Sequence, residues 1–138
     1  MKQVFFLLAA TMSFMAASAQ QVLNTKKESM GYISLEGVVT DNVNNTLGYF
    51  KSDGSILNSN YVVIGQYNAD GSVSMVNNKI LGYVLPDGKV LDNKKKALGS
   101  VTANGKVLSA KGDTLAHLKD VDNTLGAISV FFFFFKQI

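Results

Sequence analysis

Few residues in this sequence have the chemistry of a catalyst. The single histidine is His117 and there is no cysteine, so neither a tetrahedral zinc site nor a thiol nucleophile can be assembled. A serine–histidine–acid triad can be drawn on paper, but no serine stands in an elbow or other nucleophile setting. His117 falls in the same column of the sequence as Tyr32, Tyr49 and Tyr83, and is expected to be a half-buried substitute for them. Asp53, Asp70 and Asp87 recur at constant spacing and raise the question of a calcium ring. Calcium takes about six to eight oxygens, and one acid per unit, splayed outward, does not converge. Glu36 and Asn104 occupy the same place in two other units, so a turn-forming role is expected. No two acids are singled out as the pair roughly 5–9 Å apart that a glycosidase needs. The residues therefore predict no catalytic group, no metal and no cofactor. The best remaining candidate is the column Tyr32, Tyr49 and Tyr83, broken by Gln66 and Ser100. Amphipathic rings on one face can bind sugars or sit at a membrane interface, although cross-strand packing explains them more simply.

What positions these residues is a period of seventeen. Gly31, Gly48, Gly65, Gly82 and Gly99 are each seventeen residues apart, and so are Gly37, Gly54, Gly71, Gly88 and Gly105. Ten of the twelve glycines lie in these two columns, which identifies five tandem units over 30–114. The units open MGYISLEG, LGYFKSDG, IGQYNADG, LGYVLPDG and LGSVTANG. Their first and fourth positions are apolar and their tenth is β-branched (Val39, Ile56, Val73, Val90, Val107). An Asp-Gly or Asn-Gly pair between apolar residues is a strong hairpin signal, because the turn needs φ > 0. Each unit is thus predicted to be two short strands joined by a tight turn, followed by a second, looser turn rich in Asn, Ser and Lys. A glycine inside a strand marks a bulge or a close backbone approach, so the first glycine column suggests strands crowding a common centre.

The ends of the array are complementary halves. Gln21 to Ser29 is in frame with the second half of a unit, and 115–119 with the first half of another, with Ala116 in the glycine position. Pairing them removes exposed sheet edges, whereas an open solenoid needs capping units. A closed ring is expected, with the count of five or six petals left open.

The segment 120–138 leaves the frame and contains Phe131, Phe132, Phe133, Phe134 and Phe135. Asp120, Asp122 or Asn123 could cap a helix running from about Asn123 to Phe135, roughly 20 Å long. Five successive phenylalanines surround a helix axis, and a helix apolar all round must be buried on every side. The expectation is a hydrophobic helix plugging the ring. A buried C-terminal strand and a membrane-inserting tail are the alternatives, and five phenylalanines fall far short of a membrane span.

The first nineteen residues, MKQVFFLLAATMSFMAASA, have the three parts of a secretory signal: Lys2, an apolar stretch from Val4 to Met15, and Ala17-Ser18-Ala19. The apolar stretch is shorter than the ~20 residues that span a bilayer. Cleavage before Gln20 leaves 119 residues, the size of one domain. Without cysteine there is no disulfide framework and no lipid-anchored N-terminal cysteine. The expected organisation is a signal peptide at 1–19 and one repeat domain at 20–138, exported to periplasm, envelope or medium and not a lipoprotein. Thirteen lysines, no arginine and ten acids give a net charge of +3. That is too mild for nucleic acid, which wants a concentrated basic face and arginine forks. The densest run, Lys94-Lys95-Lys96, reads first as a solvated turn, with a weak contact to anionic lipid or polysaccharide as the sharper alternative.

The tandem GYxxxDGxV units, the export signal and the phenylalanine run before a basic residue resemble the fivefold β-flower proteins, small exported bacterial proteins. The resemblance covers the whole chain after residue 19 and implies short hairpins arranged like petals around a hydrophobic centre. More distantly the shape is similar to tubby-like folds, in which a barrel encloses a hydrophobic helix and some members bind phospholipid. The resemblance supplies no catalytic residues. The functional expectation is a non-enzymatic interaction module at the cell envelope, with lipid or an envelope component as partner. A purely structural or stress-type secreted protein is the alternative.

Overall fold

The computed structural model describes residues 20–136; the expected signal peptide lies outside the described residues. Twelve short strands come first: β1 (Gln21–Leu23), β2 (Ser29–Ile33), β3 (Val38–Asp41), β4 (Thr46–Phe50), β5 (Ser55–Asn58) and β6 (Val63–Tyr67). They continue as β7 (Ser72–Met75), β8 (Ile80–Val84), β9 (Lys89–Asp92), β10 (Ala97–Val101), β11 (Lys106–Ser109) and β12 (Thr114–Lys119). One helix, α1 (Asn123–Phe131), follows. Each strand pairs antiparallel with its sequence neighbours, and β1 pairs with β12, placing Val22 opposite Leu118. The sheet therefore closes into a barrel with no free edge. Because strand direction alternates, successive turns lie at opposite ends of the barrel.

The two kinds of turn share one hydrogen-bond frame. At Lys51–Gly54, Lys51 N–H donates to Ser55 O over 2.9 Å and Gly54 N–H donates to Lys51 O over 3.0 Å. At Asn58–Tyr61 the same two bonds measure 2.9 and 3.0 Å. The last turn residue is left-handed in both, with φ +93° at Gly54 and +66° at Tyr61. Only the glycine of each Asp-Gly pair takes positive φ, as in a type I turn followed by a left-handed residue. The second turn is not the looser one expected. In all but the β7–β8 turn, which opens on Met75, its first residue holds it: Asn58 Oδ1 accepts from Asn60 N–H and Val62 N–H over 2.9 and 3.1 Å. Asp92 Oδ1 does the same for Lys94 and Lys96. That side-chain clamp offsets the cost of ~1–2 kcal/mol for a non-glycine left-handed residue. The acid before each glycine acts alike, Asp53, Asp70 and Asp87 accepting from the backbone N–H two residues on. In the two units without aspartate a hydroxyl stands in: Ser34 Oγ accepts from Val38 N–H and Thr102 Oγ1 from Lys106 N–H, both over 3.0 Å.

Inside the barrel, Val22, Val39, Ile56, Val73, Val90 and Val107 are fully buried in one core cluster with Ala127, Ile128, Val130 and Phe131 of α1. Asp122 caps the helix, its Oδ1 accepting from Thr124 and Leu125 N–H over 2.9 and 3.1 Å. Gly126, a cost in an isolated helix, lets α1 approach β12: a Cβ there would lie 2.3 Å from Leu118 Cδ1. The helix ends at Phe131, not at Phe135 as the sequence suggests. Ile128 O accepts from both Phe132 and Phe133 N–H, Phe135 N–H reaches Ser129 O over 2.9 Å, and Phe134 is left-handed at φ +46°. The reason is angular. Twelve strands, two to a hairpin, set neighbouring hairpins about 60° apart, whereas helical side chains step by ~100°. Leaving the helix lets each ring meet its own hairpin. The phenylalanines from 131 to 135 lie over Gly99, Gly82, Gly65, Gly48 and Gly31 in turn, with the nearest ring atom 2.5–2.7 Å from the point a Cβ would occupy. Only Phe131 and Phe135 are buried; Phe132, Phe133 and Phe134 are half-buried, against the expectation that all five would be enclosed.

Three expectations follow. In Gly99→Ala the new Cβ would lie 2.1 Å from Leu108 O and 2.7 Å from Phe131 Cζ, so chemical denaturation should show a loss of roughly 1–3 kcal/mol. Gly112→Asn meets no neighbour but sits at φ +91°, a left-handed conformation that asparagine holds at the equivalent Asn44 and Asn78, so it should cost less than Gly99→Ala, within about 1 kcal/mol. Deletion of 131–138 removes the spokes and should abolish the cooperative melt; a truncated protein that still melts cooperatively would show that the run is not the core.

Candidate functional site

The tyrosine column does not converge. Gly31 and Ile33 face the core, so Tyr32 between them faces outward, and Tyr49 and Tyr83 repeat that geometry on β4 and β8. Each is met locally. Tyr61 from the following turn packs edge-on to Tyr49 with ring centroids 4.9 Å apart, and Lys51 Nζ donates to Tyr61 OH over 2.5 Å. Lys95, at the equivalent place two units on, sits 5.2 Å from the Tyr83 ring centroid, a cation–π contact. Tyr32 OH accepts from Gln21 Nε2 over 3.5 Å. These are cross-strand pairs on separate hairpins, not one aromatic ring. His117 takes the same outward position on β12, opposite Leu23 and Lys106. The aspartates lie in separate turns, and among the described residues no three metal-ligating side chains form a group.

The two ends of the barrel differ in a way the tyrosines do not. One end carries the Asp-Gly turns and the start of α1. A recess of about 430 Å³ lies there, lined by Leu35, Glu36, Phe50, Tyr67, Asp122 and Leu125 among others. Burial, and then the charges of Asp122 and Asp70, push the Tyr67 hydroxyl pKa upward. The other end carries the Asn58–Tyr61 type of turn and the half-buried phenylalanines. A smaller recess of about 230 Å³ sits there between Leu81, Leu98, Phe131, Phe132 and Lys136. Charge divides along the same axis. Among the described residues, the phenylalanine end has eight lysines and four acids, and the Asp-Gly end four lysines and six acids. The net charges are therefore +4 and −2.

The phenylalanine end also holds nearly all the large apolar side chains left in solvent. Val43, Tyr61, Val62 and Val76 are 55–70 % exposed, all in or beside its turns; Leu35 is the counterpart at the Asp-Gly end. The residue pattern did not flag these valines because they occupy no fixed column: Val43, Val62 and Val76 are offset differently in their units. The available signal was an apolar residue inside a polar turn stretch.

The turn carboxylates make stability acid-sensitive. Asp41, Asp53 and Asp92 are held below the ordinary value of 3.8 chiefly by backbone N–H donors, and Asp70 chiefly by the Ser72 hydroxyl. A carboxyl lowered in the folded state contributes fully above its unfolded value and loses that contribution as pH falls through the folded one. The melting temperature should therefore hold between about pH 7 and 5 and fall below about pH 4. Asp53→Asn with Asp92→Asn should flatten that fall; an unchanged slope would remove the turn clamps from the explanation.

No curated protein and no solved structure matches the chain. Residues 19–136 match the family described as 5-fold beta-flower protein, in keeping with hairpins closed around a phenylalanine-filled centre. The chain belongs to the 5-fold β-flower family.

Proposed function

We propose that this protein is an exported, non-enzymatic interaction module of the cell envelope. The observation that supports this most is the filled interior. The space that a barrel of this kind offers a ligand holds the chain's own α1 and phenylalanine run, so a partner meets the rims and the outer face. In this reading five 17-residue units, with a sixth hairpin shared between the two chain ends, form a ring that α1 plugs, and residues 1–19 are removed on export. A closed, edge-free sheet suits an extracytoplasmic domain without disulfides, because its stability rests on packing alone and no strand edge invites aggregation. A purely structural role is the competing reading. It is favoured by the tyrosines, each of which is engaged by a neighbour of its own chain.

Fractionation of producing cells should recover a chain that begins at Gln20 and sediments with the envelope. Recovery of uncleaved chain in the cytosol would overturn the proposal. The structural reading predicts no thermal shift across panels of lipids and glycans, and one reproducible shift counts against it.

A further inference from the structure

The end of the barrel opposite the Asp-Gly turns is divided into two sectors. Three consecutive turns, β3–β4, β5–β6 and β7–β8, present Val43, Val62 and Val76 to solvent, with Met75 and Ile80 about two-fifths exposed beside them. One lysine, Lys79, is among them, while Tyr61 lies back against Tyr49. The remaining three turns present Lys94, Lys95 and Lys96, then Lys111, then Lys26 and Lys27. Asp41 and Asp92, two of the four acids at this end, turn their carboxylates inward on their own turn backbones. The half-buried Phe132, Phe133 and Phe134 lie over Gly82, Gly65 and Gly48 on β8, β6 and β4, the strands that leave the three apolar turns. A soluble anionic polymer would satisfy the lysines and leave the valines in water. An apolar protein groove would satisfy the valines and leave the lysines without counter-charge. A bilayer surface bearing anionic headgroups satisfies both at once, since exposed turn tips can enter the headgroup–acyl boundary while lysines contact phosphate.

We propose that this rim docks on an anionic lipid bilayer, with Val43, Val62 and Val76 entering the interface and the lysine arc lying on the headgroups. The Asp-Gly end, net negative, faces away, so the barrel axis stands across the membrane surface. The turns that carry these residues are clamped by side-chain hydrogen bonds, which means little ordering entropy is lost on docking. The inference rests on the envelope reading above but concerns the partner and the orientation.

The test is co-sedimentation of the exported protein with vesicles of phosphatidylglycerol and phosphatidylcholine, against pure phosphatidylcholine, at low and high salt. Binding should be at least about tenfold stronger to the anionic vesicles and should weaken with salt. Lys94→Gln with Lys96→Gln and Lys111→Gln should reduce it on the order of a hundredfold, at about fivefold per lysine. Val43→Ser with Val62→Ser and Val76→Ser should reduce it at least about tenfold. Leu35→Ser, at the opposite end, should leave it unchanged. All variants change exposed positions, and a cooperative melt in each confirms that folding is intact. Equal binding to both vesicle types, indifference to the valine changes, or a loss in Leu35→Ser equal to that at the rim overturns the inference. So does tight binding of a soluble anionic polysaccharide that ignores the valine changes, which would place the lysine arc against glycan. If the protein sediments with the envelope in cells yet ignores anionic vesicles, the rim inference fails and the envelope reading stands. If it binds the vesicles but is found uncleaved in the cytosol, the reverse holds.

Discussion

The contact between a glycine Cα and a phenylalanine edge governs this molecule. A strand that enters the centre of a narrow barrel can carry no side chain where it comes closest to its neighbours, and Gly48 shows both reasons at once. A Cβ there would lie 2.3 Å from the Leu57 carbonyl oxygen and 2.5 Å from Phe134 Cε1. The hole left by the missing side chains must then be filled from elsewhere, because a void that size costs packing energy throughout its lining. The chain fills it last, with one phenylalanine over each of five successive hairpins. On β12 Ala116 takes the glycine's place and is fully buried; there the neighbour is the helix itself, brought close by Gly126.

The same constraint explains the turns. Strands of three to six residues give little hydrogen bonding of their own, so the connections must hold register. They do so twice over. A side-chain oxygen clamps the turn from within, and the carbonyl of each Asp-Gly turn glycine accepts from the next hairpin, as Gly37 O does from Phe50 N–H over 2.7 Å. The aspartates that resemble a ligand array are structural for this reason, and their exposure is incidental to it.

With the interior filled and the turns rigid, variation is free to accumulate where the scaffold does not use it. The turn tips at the phenylalanine end diverge most in character, valine and tyrosine around one half and lysine around the other, while the buried valine column hardly varies. Charge separation along the barrel axis lies in the residues outside these clamps: hydroxyls hold two of the Asp-Gly turns, and Asp41 and Asp92 hold two turns at the opposite end, whose exposed tips carry most of the lysines.

Much of this was legible from residue types and spacing. The period, the β-branched column, the hairpin at each Asp-Gly, the pairing of the chain ends and a capped helix starting at about Asn123 all follow from local pattern, since each depends on residues close in sequence or on a count. Three things did not. Six hairpins around the ring, the end of the helix at Phe131, and the scattering of Tyr32, Tyr49 and Tyr83 depend on angles about the barrel axis, which no spacing along the chain encodes. Periodicity determined which residues are equivalent. Only closure in three dimensions decided how far apart equivalent residues stand, because that distance is set by how many strands fit around the phenylalanines they enclose.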